Sequence, residues 1–163
     1  PQADILREFF EADWTPAPGE RGELFEPGHH YEWATLLLDF EKASGRDVGS
    51  WRRRLIAKAN DDGSAVDSLF CLNAVASDGT PIDRNMRLWP QLEKLRALTV
   101  HKAGDKEVAD LFNAICATYI DPVGPGLLVD EVGPDLAPLH KPVPASMLYH
   151  MVTAFEPFLL RDE

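Results

Sequence analysis

The sequence predicts a mainly α-helical protein with one small β-hairpin. In several segments, apolar residues recur at the three- and four-residue intervals of a core-facing helix stripe, and short connections rich in proline, glycine or charge separate many of these segments. One further segment alternates as a strand does and contains a turn signal. We predict helices over residues 2–13, 30–44, 47–61, 88–103, 105–120 and 145–160.

The second predicted helix begins just after Pro27 and Gly28, which interrupt regular structure. Its apolar residues have the i, i+3, i+4, i+7 spacing of a buried stripe and are Trp33, Leu36, Leu37 and Phe40. At about 100° per residue, His29 and Glu32 fall on the same side of the helix. We therefore expect polar groups at the top of a core-facing apolar stripe.

Local patterns also indicate the next two elements. The third predicted helix places the arginines at 52–54 on a solvated face, because its apolar stripe consists of Trp51, Leu55 and Ala59. Residues 68–75 and 80–84 flank the turn signal Asp78-Gly79, and this pattern predicts the hairpin.

The last three helices differ in how they are predicted to pack. Pro90 suits the first turn of the fourth helix, and Pro122 ends the fifth. The stripe of the fifth consists of Val108, Leu111, Phe112, Ile115 and Tyr119. The last helix has two apolar sides, one of Leu148, Val152, Phe155 and Leu159 and the other of Met147, His150 and Ala154. It is therefore predicted to lie between two layers, with His150 pointing into an enclosed space.

Composition narrows the possible partners and the compartment. The 163 residues, 45% of them hydrophobic, suffice for one globular domain. A net charge of −11 argues against nucleic acid and anionic membrane surfaces as partners, since both require clustered cations. The first residues lack the basic flank and apolar stretch of a secretion signal, and the sequence shows no long apolar run. The two cysteines, Cys71 and Cys116, suggest neither a disulfide framework nor a metal cluster. We expect a cytoplasmic protein.

Residues 26–33, with the sequence Glu-Pro-Gly-His-His-Tyr-Glu-Trp, form the first candidate site. Glu32 follows His29 at i+3, close enough to orient its imidazole for general acid/base work. Two alternatives stay open at this point. One is a structural histidine at a helix start. The other is a metal site of His29, His30 and Glu32, which would need further ligands, and His30 is expected to face elsewhere.

Two further segments contain residue types that suit sugar binding or proton transfer. The start of the fourth helix contains Trp89, whose indole suits packing against a sugar ring. Its polar neighbours Arg87, Gln91 and Glu93 suit binding of sugar hydroxyls. A helix start with a core tryptophan is the alternative interpretation. His150 follows a rigid entry formed by Pro142 and Pro144. No Gly-Lys-Ser/Thr phosphate loop, Gly-x-Gly-x-x-Gly or Gly-x-Ser-x-Gly motif occurs.

Taken in order, residues 26–33, 87–93 and 144–150 resemble the N-acylglucosamine 2-epimerase family of sugar epimerases and aldose–ketose isomerases. Residues 119–130 are also similar to members named mannose-6-phosphate isomerases. The resemblance implies an all-α fold, the (α/α)6 barrel, whose inner helices surround a sugar pocket. The six predicted helices of residues 1–163 would then be the C-terminal half of that barrel, with the N-terminal half absent.

The resemblance also implies roles for the candidate residues. His29 and His150 match the two acid/base histidines, and Glu32 matches the carboxylate that accompanies the first. One histidine would remove the proton alpha to the carbonyl of an open-chain sugar, giving an enediolate, and return of a proton to C2 or C1 would give an epimer or a ketose. The groups that would hold hydroxyls or stabilise the enediolate are Arg87, Trp89, Gln91 and Glu93. Neither a metal nor a nucleotide cofactor is implied.

Several alternatives to a complete isomerase remain. Leu88 stands where many family members have another tryptophan, which leaves the choice of sugar or sugar phosphate open. A half barrel would expose inner apolar surface, so pairing with a missing N-terminal half or with a second copy is possible. The chain could instead be an inactive sugar-binding or structural remnant. A glycosidase would need two carboxylates such as Glu32 and Glu93 about 5–10 Å apart.

Overall fold

The computed structural model describes residues 5–159 and is mainly helical. Its six α-helices are α1 (Glu20–Glu23), α2 (Pro27–Ser44), α3 (Gly49–Gly63), α4 (Leu88–Val100), α5 (Asp105–Ile115) and α6 (Met147–Leu159). Its strands are β1 (Leu24–Phe25), β2 (Ala74–Ala76), β3 (Pro81–Asp83), β4 (Met86–Arg87) and β5 (Glu131–Val132). The prediction of a mainly helical fold is confirmed. Across the described residues, no helix has the combination of length and apolar character needed to cross a bilayer.

The predicted hairpin is present and is part of a larger sheet. Strands β2 and β3 pair antiparallel, and β1 pairs with the other edge of β2. The turn contains Gly79 at φ 89°, a left-handed conformation that glycine adopts without strain. Strands β4 and β5 form a second, two-stranded antiparallel sheet that fixes the start of α4 against the loop after α5.

The prediction of a helix over residues 2–13 is wrong for residues 5–13, which the structure describes. Residues 5–13 are irregular, and Phe10 forms an isolated bridge with Pro16. The segment instead uses its backbone in contacts with other parts of the fold, such as the Leu6 amide, which donates to His30 Nε2 at 3.1 Å. Tertiary contacts therefore outweigh the local helical pattern here. Residues 2–4 lie outside the described residues.

The core is organised around α4, which packs against α2 on one side and α5 and α6 on the other. Its leucines are buried together with the predicted stripe of α5, in a cluster that includes Leu88, Leu92, Leu95, Val108, Leu111, Ile115 and Tyr119. The fifth helix is confirmed, although its last predicted turn is wider: residues Cys116–Ile120 form a π-helix that leads into a 3-10 turn at Asp121–Val123.

Three apolar or charged helix faces differ from the prediction. In α2 the stripe thought to face the core is partly exposed, with Trp33 at 45% and Phe40 at 44%, because Tyr31, Ala34 and Thr35 form the buried side of the helix. In α6 Met147 and Ala154 are buried, whereas Leu148 and Val152 are exposed. In α3 Arg52 is not fully solvated, since its Nη2 lies 3.1 Å from Glu41 Oε2.

Candidate active site

A pocket of about 500 Å³ lies where the starts of α2, α4 and α6 meet. It brings together residues that are far apart in the sequence. The lining residues are Glu26, His29, Glu32, Arg87, Trp89, Asp130, Pro144, Ser146, Tyr149 and His150. The candidate residues predicted from three separate segments therefore meet in one place, with Gln91 and Glu93 lying outside this lining.

His29 reaches the pocket from the first turn of α2. Its Nδ1 lies 2.9 Å from Glu8 Oε2 and 4.0 Å from Glu26 Oε2. Burial lowers the pKa of His29, but the hydrogen bond to Glu8 and the charges of Glu8, Glu26 and Glu32 outweigh it, so the net pKa is raised. The hydrogen-bond partner of His29 is thus Glu8, while Glu32 acts on it through charge.

His150 reaches the same pocket from the first turn of α6. Its Nδ1 lies 2.7 Å from Oε1 of Glu93, which projects from α4 and is fully buried. Because a carboxylate accepts a hydrogen bond, each of the two imidazoles carries its neutral-form proton on Nδ1. In both rings Nε2 is then the nitrogen that can accept a proton.

The indole of Trp89 lies close to both imidazoles. Its ring centroid is 4.9 Å from that of His29 and 5.3 Å from that of His150. Gly28 makes this packing possible, since a Cβ at that position would lie 2.6 Å from Cη2 of Trp89. The glycine that interrupts the sequence motif is therefore required by the close approach of α2 to the start of α4.

Glu32 lies on the His150 side of the pocket. Ligand atoms of Glu32, Glu93 and His150 all lie within 4.8 Å of one another, a spacing that could hold a small cation. Glu93 is already bonded to His150, however, and its Oε2 faces Arg96 Nη1 at 3.6 Å. Burial, followed by the charge of Glu93, raises the pKa of Glu32.

His30 is separated from the pocket although it neighbours His29. It is fully buried, and both ring nitrogens are engaged, Nε2 by the Leu6 amide and Nδ1 by the Glu26 carbonyl at 3.3 Å. As expected it faces elsewhere, so it does not share a space with His29 and Glu32 as the metal alternative requires. Burial lowers the pKa of His30 to about 4.

The predicted sugar-binding set divides into two groups. Arg87 and Trp89 line the pocket, whereas Gln91 and Glu93 are fully buried. The Gln91 amide accepts from the Cys71 amide at 2.8 Å and donates to the carbonyls of Cys71 and Arg87, both at 2.9 Å. Gln91 therefore fixes the backbone around the site, and Glu93 holds His150.

Arg87 joins the second sheet to the start of α2. Its Nη2 lies 2.9 Å from Glu26 Oε2, and its guanidinium lies 5.6 Å from the Trp89 ring centroid. Its buried Nε has no hydrogen-bond partner among the described residues. Burial raises the pKa of Glu26 despite the opposing charges of Arg87 and His29. Arg87 therefore contributes a positive charge to the pocket lining, where Glu26 fixes its position.

Three acidic residues of the site were absent from the sequence-based candidates: Glu8, Glu26 and Asp130. Asp130 is buried at the pocket, and within residues 5–159 its Oδ1 has no hydrogen-bond partner. Burial together with the charge of Glu131 raises its pKa. Glu26 was within reach of sequence reasoning, because it opens the first motif. Glu8 and Asp130 carry no local pattern that separates them from the many other acidic residues.

Comparison with known proteins gives a family and a fold. The family model described as N-acylglucosamine 2-epimerase (GlcNAc 2-epimerase) matches residues 2–154. A protein named mannose-6-phosphate isomerase from Rhizobium meliloti (strain 1021) is 34% identical over 162 residues, which cover 94% of this chain and 42% of that protein.

Two solved structures share the fold at low sequence identity. A D-mannose isomerase has a TM-score of 0.77 at 20% identity, with 97% of this chain and 45% of that chain covered. A cellobiose 2-epimerase from Bacillus thermoamylovorans B4167 has a TM-score of 0.70 at 19% identity, with 96% and 42% covered. The fold is that of part of an (α/α)6 barrel, and the chain spans less than half the length of these relatives.

Proposed function

Because this chain belongs to the N-acylglucosamine 2-epimerase family, we propose that it forms the proton-transfer side of a sugar isomerase or epimerase pocket. The observation that carries the proposal is the pair His29 and His150, which both lie against Trp89 in one pocket with Nδ1 of each ring on a carboxylate. An acid/base mechanism needs two such groups, each with one ring nitrogen fixed and the other available.

In the proposed reaction, Nε2 of one histidine removes the proton alpha to the carbonyl of an open-chain sugar. The C–H electron pair forms the C1–C2 double bond of an enediolate while the carbonyl oxygen gains negative charge or a proton. Return of a proton to C2 from the other face re-forms the C1 carbonyl and gives the epimer. Delivery of the proton to C1 gives the ketose when the C1 oxygen is protonated and the C2 hydroxyl gives up its proton to become the carbonyl. General acid/base catalysis of this kind contributes about 10²–10⁴-fold to the rate.

The other pocket groups have supporting roles in this proposal. Trp89 offers its ring to the C–H face of the sugar, and the guanidinium of Arg87 donates to a hydroxyl or to the enediolate oxygen. Glu32 lines the pocket near His150, where its carboxylate can accept a hydrogen bond from a sugar hydroxyl. Gln91 and Glu93 act as positioning residues behind the pocket. No metal or nucleotide cofactor has a role in this scheme.

The substrate is proposed to be a small sugar such as mannose or mannose 6-phosphate, following the names of the relatives. We infer that further helices, supplied by an N-terminal half of the barrel or by a second copy, complete the pocket. A sugar-binding remnant without activity is the second candidate, and the open pocket favours it. The glycosidase alternative has less support, because Glu93 is fully buried and bonded to His150.

The proposal is tested by incubating the full-length protein in D₂O with mannose, mannose 6-phosphate and N-acylated hexosamines. We expect at least one sugar to lose its C2 proton signal in ¹H NMR spectra while a ketose or a C2 epimer appears. Sugar binding without C2 exchange would favour the inactive alternative. Cleavage of a glycosidic bond without C2 exchange would instead favour the hydrolase.

A further inference from the structure

We propose that Glu8 is a positioning residue that fixes the orientation and tautomer of His29, leaving Nε2 as the nitrogen that accepts the substrate proton. The inference rests on the proposed acid/base role of His29 and adds a residue to it. Glu8 lies 21 positions before His29, in the irregular segment that leads to α1.

Both carboxylate oxygens of Glu8 are engaged at the start of α2. Oε2 accepts from His29 Nδ1 at 2.9 Å, and Oε1 accepts from the backbone amide of Glu26 at 3.1 Å. The amide belongs to the N-cap residue of α2, so it is rigidly placed relative to His29. A carboxylate held at both oxygens restricts the imidazole more strongly than one held only by the ring.

The residues on either side of Glu8 are also fixed. The Leu6 amide donates to Nε2 of buried His30 at 3.1 Å. Arg7 donates to the Gly22 carbonyl and pairs with Glu23 Oε1 at 3.1 Å. The side chain of Glu8 is only 15% exposed as a result. The contact with His29 is therefore part of a packed segment, unlike a surface ion pair whose side chains are free to separate.

The arrangement at His29 repeats the one at His150. In each case Nδ1 meets a carboxylate from a different element, Glu8 at 2.9 Å for His29 and Glu93 at 2.7 Å for His150. A structural ion pair alone would not require the same ring nitrogen in both residues. Two histidines that both exchange protons at Nε2 do require it.

Charges around His29 determine the expected direction of its titration. Glu8 lies in the irregular segment before α1, Glu26 precedes α2, and Glu32 lies in its second turn. Arg87, in β4, is paired with Glu26. After burial, which lowers the pKa of His29, the hydrogen bond to Glu8 and the Glu8 charge are the largest influences, and both raise it. Glu8→Gln keeps an acceptor and removes the charge, so the pKa of His29 should fall.

The direct test is ¹⁵N NMR of the histidine rings in the wild-type chain and in Glu8→Gln and Glu8→Ala variants. His29 signals are assigned by their loss in His29→Gln. We expect neutral His29 to carry its proton on Nδ1 in the wild type, to titrate at lower pH in Glu8→Gln, and to show mixed tautomers in Glu8→Ala. Glu11→Gln, an exposed change in the same segment, should leave both properties unchanged.

A second measurement links the contact to catalysis in the full-length protein. A base acts in its neutral form, so the rate rises as pH increases through the pKa of His29. Glu8→Gln should therefore move the acidic limb of kcat/KM to lower pH, and kcat should fall about 10- to 100-fold, the range known for residues that orient metal-bound histidines. KM should change little.

The outcomes separate this inference from the proposed function. An Nε2–H tautomer in the wild type, or an unchanged His29 titration in Glu8→Gln, would overturn the role of Glu8 even if the protein is an isomerase. The wild-type tautomer decides the point if Glu8→Gln does not fold. Absence of C2 exchange with every sugar would overturn the proposed function, whereas the NMR result would still report on the Glu8 contact.

Discussion

Two neighbouring histidines at the start of α2 have opposite environments. His29 faces carboxylates at the pocket, and its pKa is raised because Glu8, Glu26 and Glu32 outweigh the effect of burial. His30 points into the fold, where burial lowers its pKa to about 4. Residue type and position in the sequence are almost the same for the two, so the difference arises entirely from what the helix start packs against.

The low pKa of His30 predicts an acid-sensitive stability. In the unfolded chain the pKa is about 6.5, so protonation favours unfolding once the pH drops below that value. The stabilising contribution is complete above pH 6.5 and is lost as the pH falls toward 4. Between pH 7 and pH 4.5 the loss should be about 2 kcal/mol.

This contribution can be measured by urea unfolding at several pH values. In His30→Gln the fall in unfolding free energy from pH 7 to pH 4.5 should be about 2 kcal/mol smaller than in the wild type, even if the variant is less stable at both. His140→Asn, which changes an exposed loop histidine, should keep the wild-type slope. Equal pH slopes in His30→Gln and the wild type would show that His30 does not titrate in this way.

At the scale of helices, close packing between α2 and α4 places the site. Gly28 meets the ring of Trp89, and Pro90 lies beside it, so a Cβ at residue 28 would be 2.6 Å from Cη2 of Trp89 and 2.8 Å from Cβ of Pro90. Any larger residue must push α2 away from the start of α4 or displace the indole. Since the same indole contacts both His29 and His150, this change would also disturb the surroundings of the proposed acid/base pair.

Gly28→Ala should therefore lower stability and activity together. We expect the free energy of unfolding to fall by about 1–3 kcal/mol, the usual cost of overpacking, as measured by urea denaturation. Gly104→Ala is a matched control, because a Cβ there meets nothing within 4 Å. Its effect should stay within about 1 kcal/mol. A Gly28 variant as stable as this control would mean that the contact with Trp89 is readily relieved.

The spacing of apolar residues predicted correctly which residues lie on the same face of a helix. It was less reliable in predicting which face of the helix is buried. The predicted stripe of α5 does face the core, because α4 and α6 cover it. Val108, Leu111 and Ile115 are buried there. The stripe of α2 shares one face as predicted, but α3 and α4 pack on the other side of the helix, leaving Trp33 and Phe40 partly exposed. Periodicity contains no information about the packing partner.

At the scale of the whole molecule, the sequence predicted the fold class and five of the ten residues that line the pocket. Three motifs separated by more than 50 residues converge because α2, α4 and α6 pack side by side. Glu8 could not be predicted, since its segment resembled a helix and its contact with His29 depends on tertiary packing. Gln91 was assigned to the sugar because an amide suits hydroxyls, yet its hydrogen bonds are taken by the backbone of Cys71 and Arg87.

The central claim is that His29 and His150 together move the sugar proton within this pocket. The most direct measurement is the rate of C2 deuterium exchange in the full-length protein and its His29→Gln and His150→Gln variants, with His140→Asn as the control. We predict a loss of at least about 100-fold in each of the two pocket variants and a wild-type rate in the control. Exchange close to the wild-type rate in either pocket variant would contradict the claim.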